Sequence, residues 1–216
     1  MAKGTTPQLP LNPTLEEELR LWAQGYQKLA GLDEAGRGAL AGPVSAAAVI
    51  LPVDKGISRR LNGVRDSKLM TSIQRQHWAA IIKENALAWA VACASNQEID
   101  DLGIVPATRL AMLRALKALS YVPQYLLIDY IRQPVSSLPQ KAIVKGDRLC
   151  LSIAAASVLA KTHRDEIMVA QDSLYPGYNF ARHKGYGTLE HRRILASIGG
   201  CEIHRRSFHL KNQSPD

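Results

Sequence analysis

Residues 124–129 read QYLLID, a short continuous apolar run that stops on a carboxylate. A run of that kind is what a strand buried on both faces looks like, because a central strand has no solvent side on which to place polar residues. Such a strand needs partners on its edges and cover on both faces, so this hexapeptide points to a sheet flanked by helices.

The rest of the chain supplies both. Residues 28–33 read as a short strand, 36–38 as a turn, and PVSAAAVIL (43–51) as the returning strand of a hairpin. LAWAVACAS (87–95) alternates as a half-buried strand does, and QKAIVKGD (140–147) reads as another strand ending at Gly146. Thr14 is expected to open a helix through a T-x-x-E capping box to Glu17, with Leu15, Leu19, Trp22 and Tyr26 at helical spacing. Residues 71–85 read as an amphipathic helix with a T-x-x-Q box. Further helices are expected over 96–102, 106–119, 149–172 (with the small-residue face SIAAASVLA) and 188–198. After the opening helix the order is β-β-α-β-α-β-β-α-α. This predicts one α/β domain over 14–210, a mixed β-sheet flanked by helices with a C-terminal helical subregion. The proline-rich stretch 1–13 reads as a flexible N-terminal lead and 211–216 as a flexible tail.

Composition narrows the partners. A formal charge of +8 over 216 residues favours a polyanion, either nucleic acid or an acidic membrane surface. The start MAKGTTPQLPLNP has no apolar core of a signal peptide, and the run 40–53 is too short and too broken by Gly and Pro to span a bilayer. Cys93, Cys150 and Cys201 are sparse and unpaired in spacing, which argues against a disulfide framework or a zinc site and for buried thiols. A soluble cytoplasmic monomer with no membrane partner is the expectation.

Four carboxylates fall where strands end or turn: Asp33 and Glu34, Asp129 after YLLI, and Asp147 after IVKG. Ligands of α/β sheets collect at the carboxyl ends of strands, so residues far apart in sequence can converge there. Converging carboxylates repel one another unless a cation compensates, and all-oxygen donors suit Mg2+ or Mn2+. Two such ions can draw a nucleophile from water and hold the leaving oxygen of a phosphoryl displacement. Taken singly, each Asp also fits a turn or, for Asp147, a helix N-cap. Spacing alone leaves that choice open.

Positive charge and glycine sit nearby. In Gly36-Arg37-Gly38 the backbone can approach an anion closely, though a plain hairpin turn fits as well. FARHKGYGT (180–188) interleaves Arg182, His183 and Lys184 with Tyr186, a combination suited to phosphate pairing plus a ring against sugar or base. RDSK (65–68), carrying Ser67 and Lys68, reads as a further phosphate-facing loop, and HRRSF (204–208) as solvated surface. His163, His191, His204 and His209 lack metal-ligand spacing and read as surface or helix-flank residues.

Seven segments in order, AGLDEAGRGALAGPVSAAAVIL, RDSK, LLID, VKGD, SIAAASVLAKTHRD, HKGYGT and HRRSF, resemble bacterial ribonuclease HII. The resemblance implies a ribonuclease H-like fold. It implies an endonuclease that cleaves RNA within RNA–DNA hybrids and incises at single ribonucleotides embedded in duplex DNA, leaving 3′-hydroxyl and 5′-phosphate ends. By the same resemblance, Asp33, Glu34, Asp129 and Asp147 are the catalytic, metal-holding set for Mg2+ or Mn2+. Gly36, Arg37, Gly38 and Tyr186 are implied to recognise the ribonucleotide. Ser67, Lys68 and Lys184 are expected to join them at the substrate. The rival readings are a non-catalytic hybrid-binding module and a nuclease of related fold acting on plain DNA.

Overall fold

The computed structural model describes residues 12–129 and 135–208. The tail, His209, and all but the last two residues of the N-terminal lead lie outside these. Five strands, β1 (Leu29–Ala35), β2 (Val44–Ile50), β3 (Ala88–Ala94), β4 (Tyr125–Asp129) and β5 (Gln140–Ile143), form one sheet in the order β3-β2-β1-β4-β5. β3, β2 and β1 run antiparallel, whereas β1, β4 and β5 run parallel. The sheet is mixed, as the sequence predicts. QYLLID indeed lies between two partners, its Leu126, Leu127 and Ile128 buried.

Helices α1 (Glu16–Ala23), α2 (Ile57–Arg60), α3 (Ser72–Asn85), α4 (Asn96–Leu102), α5 (Ile104–Lys117), α6 (Gly146–Leu149), α7 (Leu151–Leu174), α8 (Phe180–His183) and α9 (Leu189–Ile198) surround it. Side chains alternate across the pleat, and the two faces of β2 show it directly. Ala47 and Val49 pack with α3 and α7, while Ala46, Ala48 and Ile50 pack with Ala107, Ala111 and Met112 of α5. The core is therefore double, one half on each side of the sheet.

The long helix α7 lies directly on β1. A Cβ on Gly31 would collide with the backbone of Ser152, so only glycine permits this approach, and Ala154, Ala155 and Ala156 continue the close fit. Helix and strand in this proximity put the middle turns of α7 beside the carboxyl end of β1, where a Cβ on Gly36 would meet the Arg164 side chain.

Three local expectations change. The Thr14–Glu17 box does not form: α1 starts after Leu15 with no side-chain cap, and Glu17 pairs instead with Arg20 and Lys141. The buried residues of α1 include Glu18, which accepts hydrogen bonds from the Ser152 amide and hydroxyl at 2.8 and 2.7 Å. It thus caps α7, whose own N-cap Cys150 supplies no side-chain bond, while burial raises its own proton affinity. Strand β5 stops at Ile143, and Lys145 in a left-handed conformation starts α6, so Asp147 stands in a first helical turn and not at a strand end. The short helix α8 has no forerunner in the sequence reading; four residues give too little periodicity to detect. The Thr71–Gln74 capping box forms as expected.

Candidate active site

Parallel pairing of β1 with β4 sets Leu32 opposite Ile128, so Asp33 and Asp129 follow as neighbours at the carboxyl ends of adjacent strands. Asp147 reaches the same place from α6. One oxygen from each of Asp33, Asp129 and Asp147 lies within 4.8 Å of the other two. Glu34, next along β1, lines the same cleft as Asp33 and Asp129. It stands outside that triad and accepts a hydrogen bond from Arg37 Nη1 at 3.1 Å. Its Oε2 is buried without a hydrogen-bond partner among the described residues.

Each acid is supported by its surroundings. Asp33 Oδ1 accepts the Glu34 amide at 2.7 Å, and Asp129 Oδ1 accepts the Gly146 amide at 2.7 Å. Burial, then the charges of Glu34 and Asp129, hold the Asp33 carboxyl well above the usual range. Burial raises Glu34 as well, against the opposing pull of Arg37. Asp147 is raised by burial and by Asp129 and Asp66, with Lys68 acting the other way, its Nζ 3.5 Å from Asp147 Oδ2. Crowded, desolvated carboxylates that hold protons tightly are those a divalent cation relieves. The donor set is all oxygen, and with the unpartnered Glu34 oxygen beside it the group fits a hard cation such as Mg2+ or Mn2+.

Asp33, Glu34 and Asp129 open on a cleft of about 1370 Å3 that also receives Gly36, Arg37, Gly38, Lys68, Lys184 and Tyr186, and Asp147 lines an adjoining pocket shared with Lys68 and Asp129. Three loops therefore meet the acids as the sequence anticipates. Ser67 lines the cleft too, but its hydroxyl is 2.9 Å from Ser157 Oγ, and Ser157 in turn bonds Asp33. The Lys184 ammonium is turned to the carbonyl of Ala181.

The first and third loops are stapled together. The amides of Leu40 and Ala41 donate to Gly185 O at 2.8 and 3.3 Å, and Ala39 bridges Tyr186. Arg164 of α7 donates to Pro43 O, Ala41 O and Lys184 O, at 2.9, 3.1 and 3.0 Å. Its guanidinium and the Lys161 ammonium lie 5.1 and 5.0 Å from the Tyr186 ring centre, within cation–π reach. The middle loop is held by the same helix: Asp165 pairs with Arg75, whose Nη1 donates to Ser67 O and Met70 O.

Two readings are corrected here. The segment 204–208 is not simply solvated surface: Arg205 is only 2% exposed and points its guanidinium under the 36–43 loop. His191 and His204 are buried, not superficial. Their partners fix a chain of neutral imidazoles. The Cys201 amide donates to His204 Nδ1 at 2.8 Å, which leaves His204 Nε2 to donate to His191 Nε2 at 3.1 Å. His191 Nδ1 then donates to Tyr186 O at 3.0 Å. His183 stacks on His191 with ring centres 4.1 Å apart and receives the Gly185 amide. The cluster fastens the loop that carries Tyr186. No spacing rule signals it, since its members meet only through the packing of α8, α9 and the C-terminal segment.

A family profile described as Ribonuclease HII matches residues 30–211. Ribonuclease HII of Dehalococcoides mccartyi is 49% identical over 201 residues, covering 91% of this chain and 92% of the relative. That of Moorella thermoacetica is 51% identical over 191 residues, covering 88% and 91%. Among solved structures, the PCNA–RNase HII complex of Archaeoglobus fulgidus matches with a TM-score of 0.71 at 23% identity, covering 87% of this chain and 98% of that one. Ribonuclease H2 of Pyrococcus horikoshii matches at 0.69 and 24%, covering 84% and 93%. These two likenesses bear on the fold, which is ribonuclease H-like with a C-terminal helical extension.

Proposed function

This chain belongs to the ribonuclease HII family and is a metal-dependent endonuclease acting on RNA in RNA–DNA hybrids and on ribonucleotides within DNA, and from that premise we propose how its residues share the reaction. Asp33, Asp129 and Asp147 hold one or two Mg2+ or Mn2+ ions, and Glu34 completes the set from the cleft side. Bound there, the ions supply Lewis-acid polarisation of the scissile phosphate and activation of water. Hydrolysis falls on the 5′ side of the ribonucleotide and leaves a 3′-hydroxyl and a 5′-phosphate.

The protein's own groups do the positioning. The turn 36–38 presents backbone amides and the exposed Arg37 to a phosphodiester. Tyr186, its ring flanked by Lys161 and Arg164, contacts the ribose and its 2′-hydroxyl. Lys68 and Lys184 add positive charge along the strand, and Ser67 holds the Lys68 loop in place. The observation that carries this reading is the meeting of three carboxylates from three separate elements within 4.8 Å.

The same reading treats residues 14–210 as one catalytic domain and the protein as a cytoplasmic monomer. Three free thiols fit a reducing compartment. No helix among the described residues is long and apolar enough to cross a membrane. Cleavage of a duplex containing one ribonucleotide, run beside an all-DNA duplex with Mg2+ or Mn2+ in turn, tests the proposal. Scission of the first alone is the expected result. Binding without scission would indicate a hybrid-binding module, and scission of both a DNA nuclease.

A further inference from the structure

The C-terminal segment after α9 passes beneath the 36–43 loop. Gly42 N donates to Ile203 O at 2.9 Å, Arg205 N donates to Leu40 O at 2.9 Å, and Ala41 bridges His204. Just beyond, the amides of Arg206 and Ser207 both donate to Asp100 of α4 at 2.9 Å. The segment is thus a strap anchored on α4 and drawn under the turn.

At its centre the Arg205 guanidinium donates to four backbone carbonyls: Gly36 O at 2.7 Å, Arg37 O at 2.9 Å, Gly42 O at 3.0 Å and Pro43 O at 3.1 Å. Peptide units are planar and, here, trans, so each carbonyl drawn inward sends the N–H of its own plane outward. The Gly36 carbonyl shares a plane with the Arg37 amide, and the Arg37 carbonyl with the Gly38 amide. Those two amides have no backbone acceptor among the described residues, and they belong to the exposed residues that line the cleft.

No carboxylate lies within ion-pair distance of Arg205 among the described residues. Burial and the neighbouring Arg164 charge push its pKa down to about 9. A buried, unneutralised cation behind two outward amides favours an anion in front of them.

We propose that Arg205 is a positioning residue for substrate recognition: its fork turns the Arg37 and Gly38 amides toward a phosphate of the ribonucleotide strand. The inference rests on the assignment of the 36–38 turn to the substrate. Lysine cannot replace the fork, because its three donors radiate from one point and cannot span four carbonyls.

The test is steady-state cleavage of a duplex with a single ribonucleotide. Arg205→Gln is expected to raise KM at least tenfold with kcat within threefold of wild type. Arg205→Lys, which keeps the charge and loses the fork, is expected to remain as impaired. An unchanged KM in Arg205→Gln, or full rescue by Arg205→Lys, would overturn the proposal. Should both variants fail to fold, Asp100→Ala loosens the strap from the surface; it is expected to raise KM severalfold, and an unchanged value would be equally fatal. Amide resonances of Arg37 and Gly38 in the wild-type protein, followed in EDTA as the duplex is added, separate the two kinds of failure. If they do not shift, the turn is not a substrate site and the underlying assignment fails. If they shift while the variants keep their KM, only the role of Arg205 fails.

Discussion

The amide of Gly146 donates to Asp129 Oδ1 over 2.7 Å, and this one bond ties the end of β4 to the turn that carries Asp147. Through it two acids separated by 17 intervening residues and a change of element are held in one frame. Asp33 joins them through the parallel register of β1 and β4. The site is therefore built by backbone placement first, with side chains following.

Asp33 shows the conflict between stability and function most sharply. Its folded-state proton affinity is raised by burial and by like charge. Such a group stabilises the fold when protonated and loses that contribution as pH rises through its elevated pKa. At pH 7.5 in EDTA, Asp33→Asn is expected to melt higher than wild type, while cleavage falls at least about 100-fold. Thermal melts with and without Mg2+ check the first half, since the ion should narrow the gap. A lower melting temperature for the variant in EDTA would contradict it.

Gly36 and Gly38 flank the same arginine but differ physically. Gly36 has φ +93°, and a Cβ there would run into the Arg164 side chain. Gly38 has nothing within 4 Å of an added Cβ. Gly36→Ala is expected to lose at least about 2 kcal/mol of folding stability. Gly38→Ala should stay within about 0.5 kcal/mol and raise KM for substrate. Urea denaturation paired with kinetics separates the two, and equal destabilisation would show the turn is misdescribed.

Tyr186→Ala should weaken preference for the ribose. The expected outcome is a fall of about tenfold or more in the ratio of binding affinities, measured in EDTA, for a single-ribonucleotide duplex and the uncleaved all-DNA control, consistent with loss of one stacking contact of ~1–3 kcal/mol. An unchanged ratio would remove the ring from the recognition site.

Much of this was legible beforehand. QYLLID specified its own burial, and the strand that precedes Gly36 placed Asp33 beside a sheet end. Asp147 was harder: IVKGD continues the apolar character of β5, and only the left-handed Lys145 converts it into a helical turn. Arg205 and the histidines could not be read at all. A basic pentapeptide and a scatter of imidazoles look solvated in one dimension, and they become interior only when the C-terminal strap is drawn under a loop some 160 residues earlier. Ser67 was legible by position but not by partner, because its hydroxyl faces Ser157 on a different element.

The histidine chain carries a pH dependence. Burial, with the His183 and His204 rings packed against it, lowers His191 from 6.5 to about 4. The unfolded chain therefore takes up a proton that the folded one refuses, and stability must decline as pH falls from about 6.5 toward 4. The full effect is roughly 3 kcal/mol, at about 1.4 kcal/mol per tenfold change in proton affinity. Protonation would set two N–H groups of His191 and His204 against each other, so the loop bearing Tyr186 should loosen first. His191→Gln is expected to flatten the acid limb of a melting-temperature profile between pH 4 and 6.5, and an identical limb would contradict this.

The most direct measurement is anomalous diffraction from a crystal of the wild-type protein soaked in Mn2+, with an Asp129→Asn crystal treated alike. The expected result is manganese seated among Asp33, Asp129 and Asp147 in the first and weak or missing in the second. Manganese bound elsewhere, or equally strong in both, would contradict a site held by those three carboxylates.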